Sequence, residues 1–350
     1  LLLLILFNSR RVASLGFGSA LFVRDFIKEL VSEPEILIIA TPEAPTPVDK
    51  AQIVINLLYI EFYIRISLKY IMIIWLASYP KSGNTWLRMF LKSYFQKPGT
   101  KFELNKKLDD DFKSGGFPDY KDLEYLKIDY NKFPEIVKNW EALQDYINLN
   151  NKTNFLKTHS SMCTVGTYKF TSHRNTKGGI YLVRDPRDVL ISYAHHIGED
   201  YEKTFELITA SDYYEIYPLP LKNITFRKSL LGSWADHYNS WKSYKSSKIL
   251  IIKYEDMVLN KYNTFHKIIS YLNEIDKTEI NKEKLIKALK QTEFKELQKM
   301  EREHGFREKL KGNLFFRKGK TGVWKEELPV DLIKKIEKFF HKEMVELNYL

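Results

Sequence analysis

Ile73-Ile74-Trp75-Leu76-Ala77-Ser78-Tyr79-Pro80-Lys81-Ser82-Gly83-Asn84-Thr85-Trp86-Leu87-Arg88 is the stretch that decides how this chain folds. Ile73 to Ala77 is a short apolar run, as expected of a parallel strand covered on both faces. Pro80 stops the strand, and Gly83 lets the backbone come close to a ligand. Leu87, Phe90, Leu91 and Tyr94 then repeat at helical spacing, so a helix is predicted to run through Lys92 or beyond. The loop between strand and helix aims backbone N–H groups and Lys81 at one point, and Ser82, Asn84 and Thr85 add side-chain donors. The positive end of the helix favours an anion there, so a phosphate or a phosphate-like group suits the spot.

The loop is not a Walker A motif. Lys81 precedes the Gly83-Asn84 pair, and no second glycine lies four residues upstream, so an ordinary P-loop kinase or ATPase is disfavoured. The bland alternative is a strand-to-helix turn with a solvated lysine. Tyr79-Pro80-Lys81-Ser82-Gly83-Asn84-Thr85-Trp86 resembles the 5′-phosphosulfate loop of the cytosolic-type sulfotransferase family, which usually has threonine or asparagine at the Asn84 position. Those enzymes use 3′-phosphoadenosine 5′-phosphosulfate (PAPS). Three further segments, all downstream and in the family's order, support the resemblance.

Gly179-Ile180-Tyr181-Leu182-Val183-Arg184-Asp185-Pro186-Arg187-Asp188-Val189-Leu190-Ile191-Ser192-Tyr193 again reads as strand, turn and helix. Asp185 is a good N-cap, and Pro186 fits the first helical position. Arg184 leaves the strand end toward the crevice where open α/β sheets bind ligands. Ser192 shares a helix face with Asp188. In the family the matching arginine and serine hold the 3′-phosphate, a task that suits the planar guanidinium fork. An arginine paired with Asp185 or Asp188 on the surface is the competing reading.

Phe315-Phe316-Arg317-Lys318-Gly319-Lys320-Thr321-Gly322-Val323-Trp324 is a basic, glycine-bearing loop before the C-terminal helical pattern. It resembles the family's Arg-Lys-Gly-x-x-Gly-x-Trp loop, which closes over the 3′-phosphate with Arg317, Lys318 and the backbone at Gly319. Val323 departs from the family, which commonly has aspartate there. The remaining segment, Asn154-Phe155-Leu156-Lys157-Thr158-His159-Ser160, delivers a lysine and a histidine at alternating positions, on one side of a strand end. The matching family histidine is the catalytic base, a role that fits a side chain titrating near neutrality. His173, His195, His196, His237 and His304 are rivals, with His195 and His196 next in rank. Weaker echoes are Tyr254-Glu255-Asp256-Met257, at the end of a buried strand from Ile249, whose family tyrosine lies near the adenine, and Thr292-Glu293-Phe294, which resembles an adenosine-contacting segment. Trp86 and Phe294 are candidate stacking faces for the base, with ordinary core packing as the alternative.

The resemblance runs from about Met72 to the end of the chain. The 350 residues, 44% hydrophobic and 14% aromatic, are ample for a core. A net charge of +11 fits nucleic acid, a membrane surface or an anionic cofactor. The cations are scattered and no zinc-finger or RNP-type motif appears, so a polyanionic nucleotide is favoured over nucleic acid, and it accounts for part of the charge. Cys163 is the single cysteine, which excludes an intrachain disulfide and agrees with a reducing, cytoplasmic compartment. No Cys/His cluster reads as a zinc site, and no metal is expected.

Residues 1–71 do not fit the rest. Leu1 to Phe7 is too short to span a membrane, and Glu61, Arg65 and Lys69 interrupt the apolar run from Ile53 to Ile74, so stable membrane insertion is not expected. The native enzyme is expected to begin at or near Met72, with 1–71 a non-family extension from upstream or mis-started translation, or a disordered one. A membrane-associating prefix is the rival. Lys106 to Asn131 reads as loop and short helix, and Tyr201 to Arg227 as a mobile lid with little periodicity. Ile280 to Leu289 and Asp331 to Met344 look helical and amphipathic.

The expectation is an α/β protein, with a P-loop-like, mainly parallel central sheet and helices on both faces, forming one sulfotransferase domain at 72–350. The resemblance implies transfer of a sulfuryl group from PAPS to a hydroxyl or amine of a small-molecule acceptor by in-line displacement. His159 takes the acceptor proton, Lys81 stabilises the leaving phosphate, Lys157 supports the transferring oxygens, and Ser192 links the 3′-phosphate site to Lys81. The alternatives are a nucleotide-dependent kinase and a non-catalytic nucleotide-binding protein. The acceptor has no motif, and a homodimer is compatible with a sequence that is silent on oligomeric state.

Overall fold

The computed structural model describes residues 73–105, 116–118, 120–129, 132–150, 152–221, 224–309 and 314–350. The expected start at Met72, the extension before it and half of the 106–131 loop lie outside the described residues. The apolar run that opened the reading is β1 (Ile73–Ser78), buried along its whole length. It pairs in parallel with β2 (Asn154–Thr158) on one side and β5 (Thr176–Val183) on the other. β8 (Lys248–Lys253) pairs in parallel with β5, giving the order β2-β1-β5-β8. Two antiparallel ribbons, β3 (Thr164–Val165) with β4 (Tyr168–Lys169) and β6 (Tyr214–Leu221) with β7 (Ile224–Leu230), stand apart from this sheet.

The period-two alternation of β1 sorts its side chains between two cores. Ile73, Trp75 and Ala77 join Tyr181 and Val183 on one face. There they meet α3 (Phe133–Lys138), α4 (Trp140–Asn148), α5 (Pro186–Ile197), α7 (Trp234–Lys242), α13 (Val330–Phe339) and α14 (His341–Glu346). Ile74 and Leu76 join Ile180 and Leu182 on the other, against α1 (Asn84–Tyr94), α9 (Lys261–Asp276) and α10 (Lys282–Gln291). Helices therefore cover both faces, as the sequence predicts. Trp75 is fully buried, and truncating a buried aromatic of that size costs about 3–5 kcal/mol. A third cluster of Met89, Phe102, Leu104, Leu297, Phe306 and Phe316 ties α1 to α11 (Phe294–His304) and to the segment after it. The remaining helices are short or peripheral: α2 (Tyr120–Tyr125), α6 (Tyr201–Thr209), α8 (Tyr254–Leu259) and α12 (Trp324–Glu327).

Three expectations are corrected. The segment from Tyr201 to Arg227 is α6, capped by the Asp200 side chain on Lys203 N, followed by the β6–β7 hairpin. Thr204 and Ile208, a turn apart and both buried, carry the helical period that the tyrosines and prolines obscured. The strand from Ile249, expected to be buried, is half-buried because β8 is the sheet's edge, and it runs directly into α8. Asp331 to Met344 is two helices, with Phe340 the C-cap of α13 and the N-cap of α14.

Candidate active site

Three neighbouring strands end at the same edge of the sheet, and each delivers part of the site. After β1 the chain makes a tight turn in which Lys81 takes φ 66° and Gly83 φ 96°. Gly83 is required twice over. Its backbone is left-handed, and a Cβ there would lie 2.7 Å from Tyr254 Cδ2. Asn84 holds the turn from inside: its Nδ2 donates to Leu76 O at 2.8 Å and to Ser78 Oγ at 3.3 Å. Its amide is thus spent on the scaffold, where the sequence had it as a donor for a ligand. Lys81 extends over the ring of Phe315, with Nζ 4.3 Å from the centroid.

β2 runs beside β1 in the register Ala77↔Thr158, so His159 emerges next to the turn. His159 is buried, and its Nδ1–H donates to Ser78 O at 2.7 Å, with Ser78 Oγ at 3.3 Å. In the neutral ring this puts the lone pair on Nε2. Behind it, His237 Nε2–H donates to His159 O at 3.0 Å, and the Tyr181 hydroxyl donates to His237 Nδ1 at 2.9 Å. Burial lowers the His237 pKa to about 4, so that ring stays neutral. Lys157, half-buried, precedes His159 by two positions on the same strand end, and its carbonyl accepts from Phe117 N at 2.8 Å.

β5 delivers Arg184. Its Nη1 donates to Lys81 O at 3.2 Å and its Nη2 to Lys320 O at 3.1 Å. The guanidinium lies 4.4 Å from the centroid of Tyr254, which also covers Gly83. As predicted, Asp185 caps α5 and Pro186 opens it, and Asp185 takes Arg187 as its ion pair. Asp188 lies 3.7 Å from Arg184 and accepts Gly322 N at 2.8 Å and Trp324 N at 3.0 Å. Burial pushes its carboxyl up, against Arg184 and the two amides. This carboxylate docks the 315–324 loop from across the site. Val323, between the two amides, is buried in the core at the start of α12.

In that loop Arg317 lies 3.6 Å from Glu327, and Lys318 is bonded to the same carboxylate. Gly319, at φ 61°, packs so closely on Phe294 that a Cβ would sit 2.3 Å from its ring. The edge of Trp86 meets Tyr254 and Phe265, with centroids 6.2 and 5.4 Å apart. Thr292 is fully buried, and its hydroxyl donates to Ala288 O at 2.7 Å, which turns it toward its own helix. Ser192 is half-buried on α5.

The structure thus brings Lys81, Ser82, Gly83, Asn84, Thr85, Arg184 and Tyr254 together around one turn, sets His159 and Lys157 beside it, and packs Phe294 on Gly319. Among the described residues, no hydrogen bond or ion pair ties Ser192 or Thr292 to this group. Sequence reasoning missed several participants. Glu327 and Glu308 sit in no motif, Phe315 was read only as the start of the basic loop, and His237 only as a rival base. Arg88 was readable: it stands one helical turn after Asn84, and its Nε donates to Asn84 Oδ1 at 3.1 Å. Among the described residues, the buried atoms Ser82 Oγ, Arg184 Nε and Trp86 Nε1 have no hydrogen-bond partner. Orphaned buried donors beside a helix start and several cations fit an anionic ligand. Among the described residues no group of three or more His, Cys, Asp or Glu side chains could hold a metal ion, and no helix is long and apolar enough to cross a membrane.

Residues 73–348 match the profile of the sulfotransferase domain, and the chain belongs to that enzyme family. It is similar to cytosolic sulfotransferase 17 of Arabidopsis thaliana, 22% identical over 78% of this chain and 75% of that one. It is also similar to sulfotransferase 1E1 of Rattus norvegicus, 26% identical over 77% of this chain and 82% of that one. Among solved structures, mouse sulfotransferase SULT7A1 complexed with PAP is 21% identical, covering 78% of this chain and 84% of that chain at a TM-score of 0.49.

Proposed function

We propose that this enzyme moves a sulfuryl group from PAPS to a hydroxyl or amine of a small-molecule acceptor, with His159 as the base. The observation that carries this reading is Arg184, whose one guanidinium donates to the backbone of both the Lys81 turn and the 315–324 loop. Two cationic loops far apart in sequence therefore face one crevice at the strand ends, where α/β sheets bind nucleotides. The turn, with Lys81, Ser82, Gly83 and Thr85, would hold the 5′ end of PAPS. Arg184, Ser192, Arg317, Lys318 and Gly319 would hold its 3′-phosphate. Trp86, Tyr254, Thr292 and Phe294 would border the adenosine, with Asn84 shaping the turn. When bound, PAPS supplies an activated sulfuryl group.

The protein's part is placement and charge. Ser78 O fixes the Nδ1–H tautomer of His159, so Nε2 can take the acceptor proton. Lys81 and Lys157 bring positive charge to the end of the turn, where negative charge develops. His159 suits the base role better than its rivals. Burial, then the charges of Lys81 and Lys157, lower the His196 pKa to about 3, which makes it a poor base. His195 lies 3.9 Å from Glu327 and is exposed. No step calls for a metal, and we take the catalytic unit to be residues 72–350, working in the cytoplasm.

Incubating the full chain with radiolabelled PAPS and a panel of phenols, alcohols and amines tests this. Labelled product is expected, and its absence with every acceptor despite PAP binding would leave only a nucleotide-binding module. Chelator-sensitive phosphate transfer from ATP would instead make it a kinase.

A further inference from the structure

Arg88 and Glu308 stand against the Lys81 turn and have no part in the reading above. Arg88 lies on α1, and its side chain reaches back toward the helix start, as long helical side chains do. There its Nη2 donates to Thr85 Oγ1 at 3.1 Å. The residue is 3% exposed, and a guanidinium so buried needs an anion beside it. Glu308, in the segment after α11, supplies one. Arg88 Nη2 donates to its two carboxylate oxygens at 2.8 and 2.6 Å, and Thr85 Oγ1 donates to Oε2 at 3.3 Å. Burial pushes the Glu308 carboxyl up, but the charges of Arg88 and Lys157 outweigh it and hold the group well below the usual carboxylate range. A carboxylate therefore sits among Thr85, Arg88 and Lys157, where the turn is built for an anion.

We infer that Arg88 is a further anion-binding residue at the 5′ end of the PAPS site, and that Glu308 is its internal counter-ion, displaced when the nucleotide's own anion enters. The inference rests on the PAPS reading of the turn. Two anions cannot both share Thr85 Oγ1 and the Arg88 guanidinium, because like charges at contact distance exclude one another. The asymmetry of exposure says which partner leaves: the Glu308 side chain is 24% exposed and that of Arg88 is 4%. Glu308 follows Gly305, which takes the left-handed φ of 68° at the end of α11. Outward movement of the carboxylate would free the Nη2 donors beside Thr85 for a phosphate or sulfate oxygen.

The test is equilibrium binding to the full chain of two probes, adenosine 3′,5′-bisphosphate (PAP) and adenosine 3′-monophosphate, which lacks the 5′ anion. Glu308→Gln is expected to bind PAP about tenfold more tightly than the wild type, a typical coupling between competing occupants, with the 3′-monophosphate unchanged. Arg88→Gln is expected to weaken PAP and to spare the 3′-monophosphate. Equal PAP affinity in the wild type and Glu308→Gln would overturn the inference, as would equal tightening of both probes. Loss of PAP binding in Lys81→Ala, beside an unchanged Glu308→Gln, would sink this inference and leave the PAPS reading standing. A wild type that binds no PAP sinks both. Should Glu308→Gln fail to fold, a structure of the wild type with PAP decides: Glu308 must have left Thr85, and a retained contact refutes the displacement.

Discussion

The turn after β1 and the loop at 315–324 both present cations to the same crevice, yet they are held in different ways. The turn's inner side is fixed mainly by neutral contacts, while Arg184 donates to Lys81 O and Arg88 to Asn84 and Thr85 at its margins. Asn84 bonds the end of β1, the Tyr254 ring lies on Gly83, and Ser78 links Asn84 to His159. The loop is fixed by carboxylates. Glu301 accepts Phe315 N at 2.6 Å and Phe316 N at 2.9 Å, Asp188 accepts Gly322 N and Trp324 N, and Glu327 neutralises Arg317 and Lys318. Neutral hydrogen bonds such as those of Asn84 do not compete with an incoming phosphate for a cation. A framework of ion pairs around cations competes with an incoming phosphate for those same cations. On the proposed function, the first arrangement suits chemistry, which needs fixed geometry, and the second suits affinity, which can be tuned.

Substitutions on the two sides should separate accordingly. On the turn side, His159→Ala is expected to lower kcat by about 10²–10⁴-fold, the usual worth of a positioned base, while PAP binding measured by calorimetry stays near wild type. Full activity in that variant would move the base role elsewhere. Acid should also act first on this side, through His237, whose ring lies edge-on to Tyr79 with centroids 5.4 Å apart. Its folded pKa of about 4 lies below the ordinary 6.5, so the unfolded chain binds more protons between those values. Stability is then complete above pH 6.5 and falls as pH drops toward 4, by about 3 kcal/mol from this ring. Denaturant midpoints across that window check it, and His237→Gln should flatten the slope. On the loop side, burial pushes the Glu327 carboxyl up while Lys318 and Arg317 hold it below its ordinary value. The loop's counter-ion therefore keeps its charge across most of that pH range.

Smaller effects are expected from the loop's own carboxylates. Asp188→Ala leaves two amides without their acceptor and Arg184 without its nearby carboxylate, at a cost of about 2 kcal/mol. Its signature should be a KM for PAPS that rises about tenfold or more while kcat changes little, since the turn and His159 are untouched. A drop in kcat of the same size would mean that the two sides are one mechanical unit. Glu327→Gln should do least. It removes a partly exposed counter-ion of Arg317 and Lys318, so PAP should bind a few-fold more tightly, consistent with about 0.5–1 kcal/mol for such pairs. Weaker binding would show that Glu327 orients those cations more than it competes for them.

Much of the turn side was legible because its signals are local. The apolar run of β1, the helical period from Leu87, the Asp185 cap and Pro186 all lie within a few residues of what they determine. Each cation of the site could likewise be read from its own motif. The carboxylates could not. Glu308 reaches Arg88 across 220 residues of chain and Asp188 reaches Gly322 across 134, and no local pattern announces such a partner. The β6–β7 hairpin escaped for a different reason. Pro218 and Pro220 interrupt β6, and prolines count against a strand unless it is a sheet edge, as both strands of a two-stranded ribbon are. Val323 looked like a defect in the family's loop. Its neighbours' amides are held from α5 by Asp188, and the valine side chain itself packs into the core.

The strand order has a metric consequence. His159 follows β2 and Arg184 follows β5, with β1 between them. Two hydrogen-bonded spacings, about 10 Å in all, therefore gauge the separation between the proposed proton acceptor and the proposed nucleotide anchor. That interval is set by backbone ladders in the middle of the sheet, out of reach of any rearrangement at the rim. Evolution can rewrite the surrounding loops for a new acceptor without recalibrating the distance across which the enzyme works.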